Sequence, residues 1–246
     1  MPAAASHPVA LITGAARRIG RAIALDMARN GYAVGVHYRN SRVEADAMVM
    51  EITGSGGKAV ALDADLADTK AVALLVERCG EALGAPPCCL VNNASEFLLD
   101  SIDTLTEDLW DTHQTINLKA PVFLAQSMLH NLPPDVEGNI VNIIDQRVWK
   151  LTPDFFSYTI SKAGLWTATR TLAQALAPRI RVNAIGPGPV LQSVHQTPDD
   201  FAAEQSSTLL KRGPSPEEIA AAVRFILATP SMTGQMIALD AGQHLS

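Results

Sequence analysis

Apolar runs of strand length alternate with segments of helical period along this chain. VALIT at 9–13 leads into a helix over 19–30, YAVGVHY at 32–38 into one over 42–53, and KAVALD at 58–63 into one near 68–83. CLVNNA at 89–94 precedes helical stretches near 106–131, and NIVNII at 139–144 precedes a long helix over about 156–177. IRVNAI at 180–185 is followed by a helix near 215–228 and a last strand near 235–239. The strands are filled by Val, Ile and Leu with little polar alternation, as strands buried on both faces require. This rhythm predicts an α/β fold over residues 1–246: a single-domain, doubly wound parallel sheet of the Rossmann type, with helices on both faces and right-handed crossovers.

One helix start is written out in full. Ser215-Pro216-Glu217-Glu218 combines an N-cap, Pro at the first helical position and a capping-box acid. Ahead of it, 186–214 carries Pro187, Pro189, Pro198 and Pro214 with little periodicity. A loop of that length in a compact domain is expected to act as a lid over a substrate.

Composition narrows the function classes. With 246 residues and 48% apolar content the chain can bury a full core, which excludes disordered and fibrous classes. The 25 acidic and 19 basic residues give a net charge of −6, with no clustered basic face for nucleic acid. No apolar run is long enough to span a bilayer, and residues 1–8 lack the basic start of a signal peptide, so a cytoplasmic protein without membrane contact is expected. Cys79, Cys88 and Cys89 have no CxxC spacing and read as core thiols in a reducing compartment. His7, His113, His130, His195 and His244 show no paired-ligand spacing, so no metal is expected.

The chemistry begins at the first strand–helix turn, Thr13-Gly14-Ala15-Ala16-Arg17-Arg18-Ile19-Gly20. Glycines there let a pyrophosphate approach the backbone, and the helix N-terminus offers its N–H groups and dipole. NAD sites place a carboxylate at the end of the second strand; this chain instead has His37-Tyr38-Arg39-Asn40-Ser41. A cation and hydroxyl donors suit a 2′-phosphate, and Arg17 and Arg18 add charge from the turn, which predicts NADPH/NADP+ as cofactor. His37, Arg39 and Arg18 all stay open as the residue that grips this phosphate. Further along, Tyr158 and Lys162 stand i,i+4 on one helix face, where the ammonium is expected to lower the tyrosine pKa and make it a proton donor near neutral pH.

These motifs, with DADL at 63–66, NNA at 92–94, Asn117, YTISK at 158–162, Gly186-Pro187-Gly188 and TGQMIALDAG at 233–242, resemble the short-chain dehydrogenase/reductase family over essentially the whole chain. The resemblance implies that Tyr158 is the general acid, that Lys162 binds the nicotinamide ribose and lowers the tyrosine pKa, and that Asn117 holds a water in a proton relay. It further implies that Asp65 and Leu66 flank the adenine, and that Asn93, Ala94, Pro187 and Gly188 line the cofactor. Two positions depart from the family pattern. Arg18 replaces the middle glycine of the turn, and Asp145 stands 13 residues before Tyr158, where a serine is expected. An ionised carboxylate cannot donate to a ketone oxygen, whereas a protonated or water-linked one can deliver a proton to a ring nitrogen.

Both departures, together with the HY..S strand end and NNAS followed by Phe97, are similar to the pteridine reductase branch, which includes the dihydromonapterin reductases. That likeness implies a pterin or dihydrofolate-like substrate stacked on Phe97, with Ser95 hydrogen-bonding near substrate and cofactor phosphate, Asp145 and Tyr158 managing protons, and hydride transfer to a C=N bond. A carbonyl reductase that tolerates Asp145 is the alternative, and a cofactor-sensing protein without catalysis a distant one. Trp149, Phe155 and Phe156 are candidates either to wall the substrate pocket or to pack in the core. The family likeness also implies a homotetramer, with 238–245 and the long helix at its interfaces.

Overall fold

In the computed structural model, which describes residues 7–246, seven parallel strands form one sheet in the order β3-β2-β1-β4-β5-β6-β7. They are β1 (Val9–Ile12), β2 (Ala33–Tyr38), β3 (Ala59–Asp63), β4 (Cys89–Asn92), β5 (Gly138–Ile143), β6 (Ile180–Pro187) and β7 (Met236–Leu239). The signal-peptide reading of residues 1–8 lies largely outside the described residues.

Period-two alternation divides the apolar side chains between the two faces. Ala10 and Ile12 of β1 join a core with α1 (Arg18–Arg29), α2 (Arg42–Gly54) and α8 (Pro216–Leu227), through Ile23, Met27, Met48, Ile219 and Val223. Val9 and Leu11 join the opposite core with α3 (Thr69–Leu83), α5 (Ala120–Asn131) and α6 (Phe156–Leu176), through Leu75, Cys79, Leu124, Met128 and Leu176. Each fully buried Leu, Ile or Met contributes roughly 1.5–3 kcal/mol. Cys79 and Cys89 are fully buried within these layers, and burial raises the Cys79 thiol to about 12, so it stays protonated.

Two segments differ from expectation. The helical stretch near 106–131 is three pieces: α4 (Glu107–Gln114), a π-helical turn at Thr115–Lys119, and α5. The aperiodic 186–214 stretch contains a helix, α7 (Pro198–Ser207), with none of its residues buried, so it has no apolar stripe for periodicity to detect. Its start was nonetheless encoded: Thr197 caps Asp200 N–H, Asp200 returns the bond, and Pro198 opens the helix, the same device that starts α8 at Ser215. Among the described residues no helix is long and apolar enough to cross a membrane.

Strand order reverses between β1 and β4, leaving a crevice at the carboxyl ends of the strands, where open α/β sheets bind ligands.

Candidate active site

At that crevice the turn from β1 to α1 is built by close approach. Gly14 has φ +61°, and a Cβ on Gly20 would stand 2.3 Å from the Gly14 carbonyl oxygen and 2.5 Å from Asn93 Nδ2. Arg18 keeps the left-handed backbone that glycine would take, with φ +56°. The turn is tied to the end of β4: Thr13 Oγ1 accepts from Asn93 and Ala94 N–H at 2.9 and 3.0 Å, and Asn93 Nδ2 donates to the carbonyls of Thr13 and Gly14. Arg17 gives α1 no side-chain cap, so the first N–H groups of the helix stay open to an anion.

This turn forms one wall of a cavity of ≈ 380 Å³. Gly14, Arg17, Arg18, Ile19, Gly20, His37, Tyr38, Arg39, Asn40, Ser41, Asp65, Leu66, Asn93, Ala94 and Ser95 all line it, and Ala16, Glu96 and Ile116 join them without having been anticipated. Of the expected cofactor set, Lys162, Pro187 and Gly188 stand outside this lining. The chemistry of the cavity fits a phosphorylated dinucleotide: an uncapped helix start and close-packed glycines at one wall, and no free carboxylate at the β2 end. Its two acids are engaged, Asp65 by the Ala67 N–H and Glu96 by Arg39 at 2.8 Å.

His37 lines the cavity, but its ring is held by the backbone on both sides. Its Nδ1 accepts from Gly14 N–H at 3.0 Å and its Nε2 lies 3.1 Å from the Ala64 carbonyl, so one ring nitrogen is spent on the turn and the other on the backbone just after β3. Burial lowers its pKa to about 4, and the neutral ring brings no charge to an anion. Arg18, for its part, donates from Nη1 and Nη2 to the carbonyls of Gln192 and Leu191 at 3.0 and 3.1 Å, bridging the cofactor turn to the segment before α7.

The second half of the site sits at the end of β5 and the start of α6. Tyr158 O–H donates to Asp145 Oδ2 at 2.8 Å, and Asp145 Oδ1 accepts the N–H of Arg147, capping a 3-10 turn at Gln146–Val148. Lys162 Nζ donates to the Ile143 carbonyl at 2.9 Å and lies 5.7 Å from the Tyr158 ring centre. The expected lowering of the Tyr158 pKa is corrected here. Burial, and then the Asp145 carboxylate, push it well above its ordinary value, because the hydroxyl faces a carboxylate rather than the ammonium. Burial raises the Asp145 carboxyl as well and brings Lys162 down to about 8.

Asn117, in the π-helical turn, spends its whole side chain on protein. Its Oδ1 accepts from Ser95 Oγ and Glu96 N–H, and its Nδ2 donates to Glu96 O and Ser161 Oγ. It clamps the loop after β4 onto α6, and a water relay through this residue has only the backbone left to use.

That loop carries Phe97, whose ring stacks on Phe155 at 4.2 Å and meets Tyr158 edge-on at 4.7 Å. His195, from the segment before α7, closes over it with Nε2 2.9 Å from the Phe97 carbonyl. Behind these rings lies a buried chain that motif spacing did not reveal. Leu98 N–H donates to His113 Nε2 at 3.1 Å, so His113 Nδ1 carries the proton and donates to Ser157 Oγ at 2.6 Å, and Ser157 Oγ donates to the Asp100 carboxylate. Its members come from three separate elements, a separation that no short motif could disclose.

Comparison with known proteins then places the chain. A family model described as enoyl-(acyl carrier protein) reductase matches residues 14–244. The structure of FolM alternative dihydrofolate reductase 1 from Brucella canis, complexed with NADP, is 51% identical with a TM-score of 0.95, covering 98% of this chain and 95% of that one. The Brucella suis counterpart, also with NADP, is 52% identical with a TM-score of 0.94, covering 98% and 96%. The 3-oxoacyl-[acyl-carrier-protein] reductase FabG of Staphylococcus aureus is 32% identical over 241 residues, 96% of this chain and 98% of that protein. The chain belongs to the short-chain dehydrogenase/reductase family. It is an oxidoreductase, and as a short-chain dehydrogenase/reductase it sets a carboxyl, Asp145, against its tyrosine; its relatives include dihydrofolate reductases as well as ketoreductases such as 3-oxoacyl-[acyl-carrier-protein] reductases.

Proposed function

We propose that this short-chain reductase uses NADPH to reduce a C=N bond of a dihydropterin or dihydrofolate-like ring. The observation that carries the reading is the carboxyl of Asp145 hydrogen-bonded to Tyr158, beside the Phe97 ring. A carboxyl held above its ordinary pKa by burial can carry a proton and donate it to a ring nitrogen, whereas an ionised carboxylate can only accept. The 51–52% identity to the two Brucella FolM proteins supports the same choice.

The cofactor, when bound, supplies a hydride to the ring carbon. Everything else falls to the chain. The phosphates would meet the α1 start and Gly14–Gly20, with Arg39, Asn40, Ser41, Arg17 and Arg18 at the 2′-phosphate end. Asp145 donates the proton that balances the hydride and is reprotonated from solvent after turnover, and Tyr158 O–H holds the carboxyl that passes it on. Lys162 places its charge near the tyrosine ring, and Asn117 and Ser95 fix the loop that presents Phe97 to one face of the substrate. The segment 186–214 closes the site, and the active form is a homotetramer.

A 3-oxoacyl reductase is the second reading, supported by the 32% identity to FabG. The deciding experiment is NADPH oxidation by the purified protein with dihydromonapterin, dihydrobiopterin and dihydrofolate beside acetoacetyl thioester, with NADH as the cofactor control. Turnover of the pterins with NADPH preference is expected; turnover of the thioester alone overturns the pterin reading.

A further inference from the structure

We propose that Arg147 is a specificity-determining residue that binds an anionic group on the side chain of the substrate, so that the preferred substrate is a reduced pterin bearing a carboxylate tail, the dihydrofolate class, rather than one with a neutral polyol. The proposal rests on the pterin reading above and assigns its substrate class.

Position comes first. Arg147 lies two residues after Asp145, and the Asp145 carboxylate fixes its backbone by accepting its N–H at 2.8 Å. The side chain runs to the ring of Phe155, with the guanidinium 5.0 Å from the ring centre. Phe97 covers one face of Phe155 at 4.2 Å with the planes 9° apart, which leaves the opposite face to the guanidinium. Arg147, Phe155 and Phe97 therefore form a layered stack whose inner end touches Tyr158. Phe155 is held there in a left-handed conformation, φ +55°, which is rare for a bulky residue and places its ring between the two partners.

Hydrogen-bond capacity comes second. A guanidinium has five N–H donors, and Arg147 makes one side-chain bond, from Nη1 to Thr152 Oγ1 at 2.8 Å. Among the described residues, no carboxylate stands within ion-pairing distance of it, whereas Arg17, Arg21, Arg39, Arg42, Arg78, Arg212 and Arg224 all have acidic partners. Arg147 is half-buried, and the charge it feels from Asp145 comes from beyond ion-pairing distance, so its guanidinium is partly drawn out of water with no paired carboxylate. An incoming anion would remove that cost.

Chemistry supplies the class of ligand. The planar fork of a guanidinium matches a carboxylate bidentately. The pterin ring is uncharged and a polyol tail offers only hydroxyls, so neither needs an arginine; the glutamyl carboxylates of a folate do.

The test is a ratio between two substrates. With NADPH saturating, kcat/KM for dihydrofolate and for dihydrobiopterin is measured on the wild type, Arg147→Gln and Arg147→Lys, together with the Kd of folate and of biopterin for the NADP+-loaded protein. The dihydrofolate-to-dihydrobiopterin ratio is expected to fall about tenfold in Arg147→Gln, mainly through KM and with a matching change in the Kd ratio, and to recover partly in Arg147→Lys, as loss of a charge-assisted bond predicts. The wild type should also lose dihydrofolate preference as salt is raised, an arm that needs no folded variant. Equal losses for both substrates, or a ratio indifferent to salt, overturn the assignment of Arg147 while leaving the pterin reading intact. A wild type that reduces dihydrobiopterin and not dihydrofolate does the same. A wild type that reduces neither overturns both.

Discussion

The hydroxyl of Tyr158 donates to Oδ2 of Asp145 across 2.8 Å, joining the two groups through which the proposed proton transfer runs. Asparagine at 145 keeps an acceptor for that hydroxyl but cannot carry a carboxyl proton. Asp145→Asn is therefore expected to lower kcat for a dihydropterin by about 10²-fold or more, the usual span of general acid catalysis, with the Kd for NADPH little changed. Tyr158→Phe should fall in the same range. Steady-state rates alongside fluorescence titration of NADPH check both, and near wild-type turnover in either variant removes that residue from the proton path. If Asp145→Ser turns over acetoacetyl thioester better than any pterin, the ketone reading gains instead.

Gly20 has no room for a side chain. A Cβ would sit 2.3 Å from the Gly14 carbonyl, a backbone atom with no freedom to swing away. Gly20→Ala must displace the turn that lines the cofactor cavity, at a cost of about 1–3 kcal/mol and with a larger loss in NADPH affinity than in stability. Comparing Tm with and without NADPH separates the two effects. A ligand-induced rise in Tm equal to that of the wild type contradicts the placement of the phosphates.

Acid should loosen the same turn through His37. Its pKa is about 4 in the folded chain against about 6.5 unfolded, so the unfolded state binds the proton first. This contribution to stability is fully present above pH 6.5 and is lost as the pH falls towards 4, by about 3 kcal/mol at 1.36 kcal/mol per pH unit. His113, also lowered by burial, acts in the same direction. Protonation also removes the Nδ1 acceptor of Gly14 N–H, so NADPH affinity should weaken over the same window. Urea unfolding at pH 7 and pH 5 measures the slope, and His37→Gln should flatten it.

The seven strands were legible because each is an apolar run, with β1, β2, β4, β5 and β6 buried almost throughout and only β3 and β7 partly covered, and the glycine turn because each close approach leaves a residue type behind. The crowded Gly20 is the plainest case. What escaped had no such imprint. Helix α7 buries nothing, so only its Thr197-Pro198-Asp199-Asp200 start could have announced it. The raised tyrosine was misjudged because i,i+4 spacing brings Lys162 to within 5.7 Å of the ring centre but does not say which neighbour the hydroxyl will meet. His37 reads, with Arg39 and Arg18, as a residue that could grip a phosphate, because the motif does not say that its strand is buried along its whole length.

The chain from Leu98 through His113 and Ser157 to Asp100 gives a last expectation, because it holds the Phe97 loop and the start of α6 with one set of buried bonds. Ser157→Ala removes the hydroxyl between imidazole and carboxylate. Asp100 is then left with the Ser157 backbone N–H at 3.2 Å, and His113 Nδ1 is left without its acceptor. Two buried polar groups lose partners at about 1–3 kcal/mol each, so stability should drop by roughly 2–5 kcal/mol. If the chain also positions the site, KM for the substrate will rise more than kcat falls, since Phe97 is released while Tyr158 keeps its bond to Asp145. Ser157→Thr restores the hydroxyl and should recover KM ahead of stability, because the extra methyl enters a fully buried position. A variant that loses stability with KM and kcat both unchanged confines the chain to holding the fold.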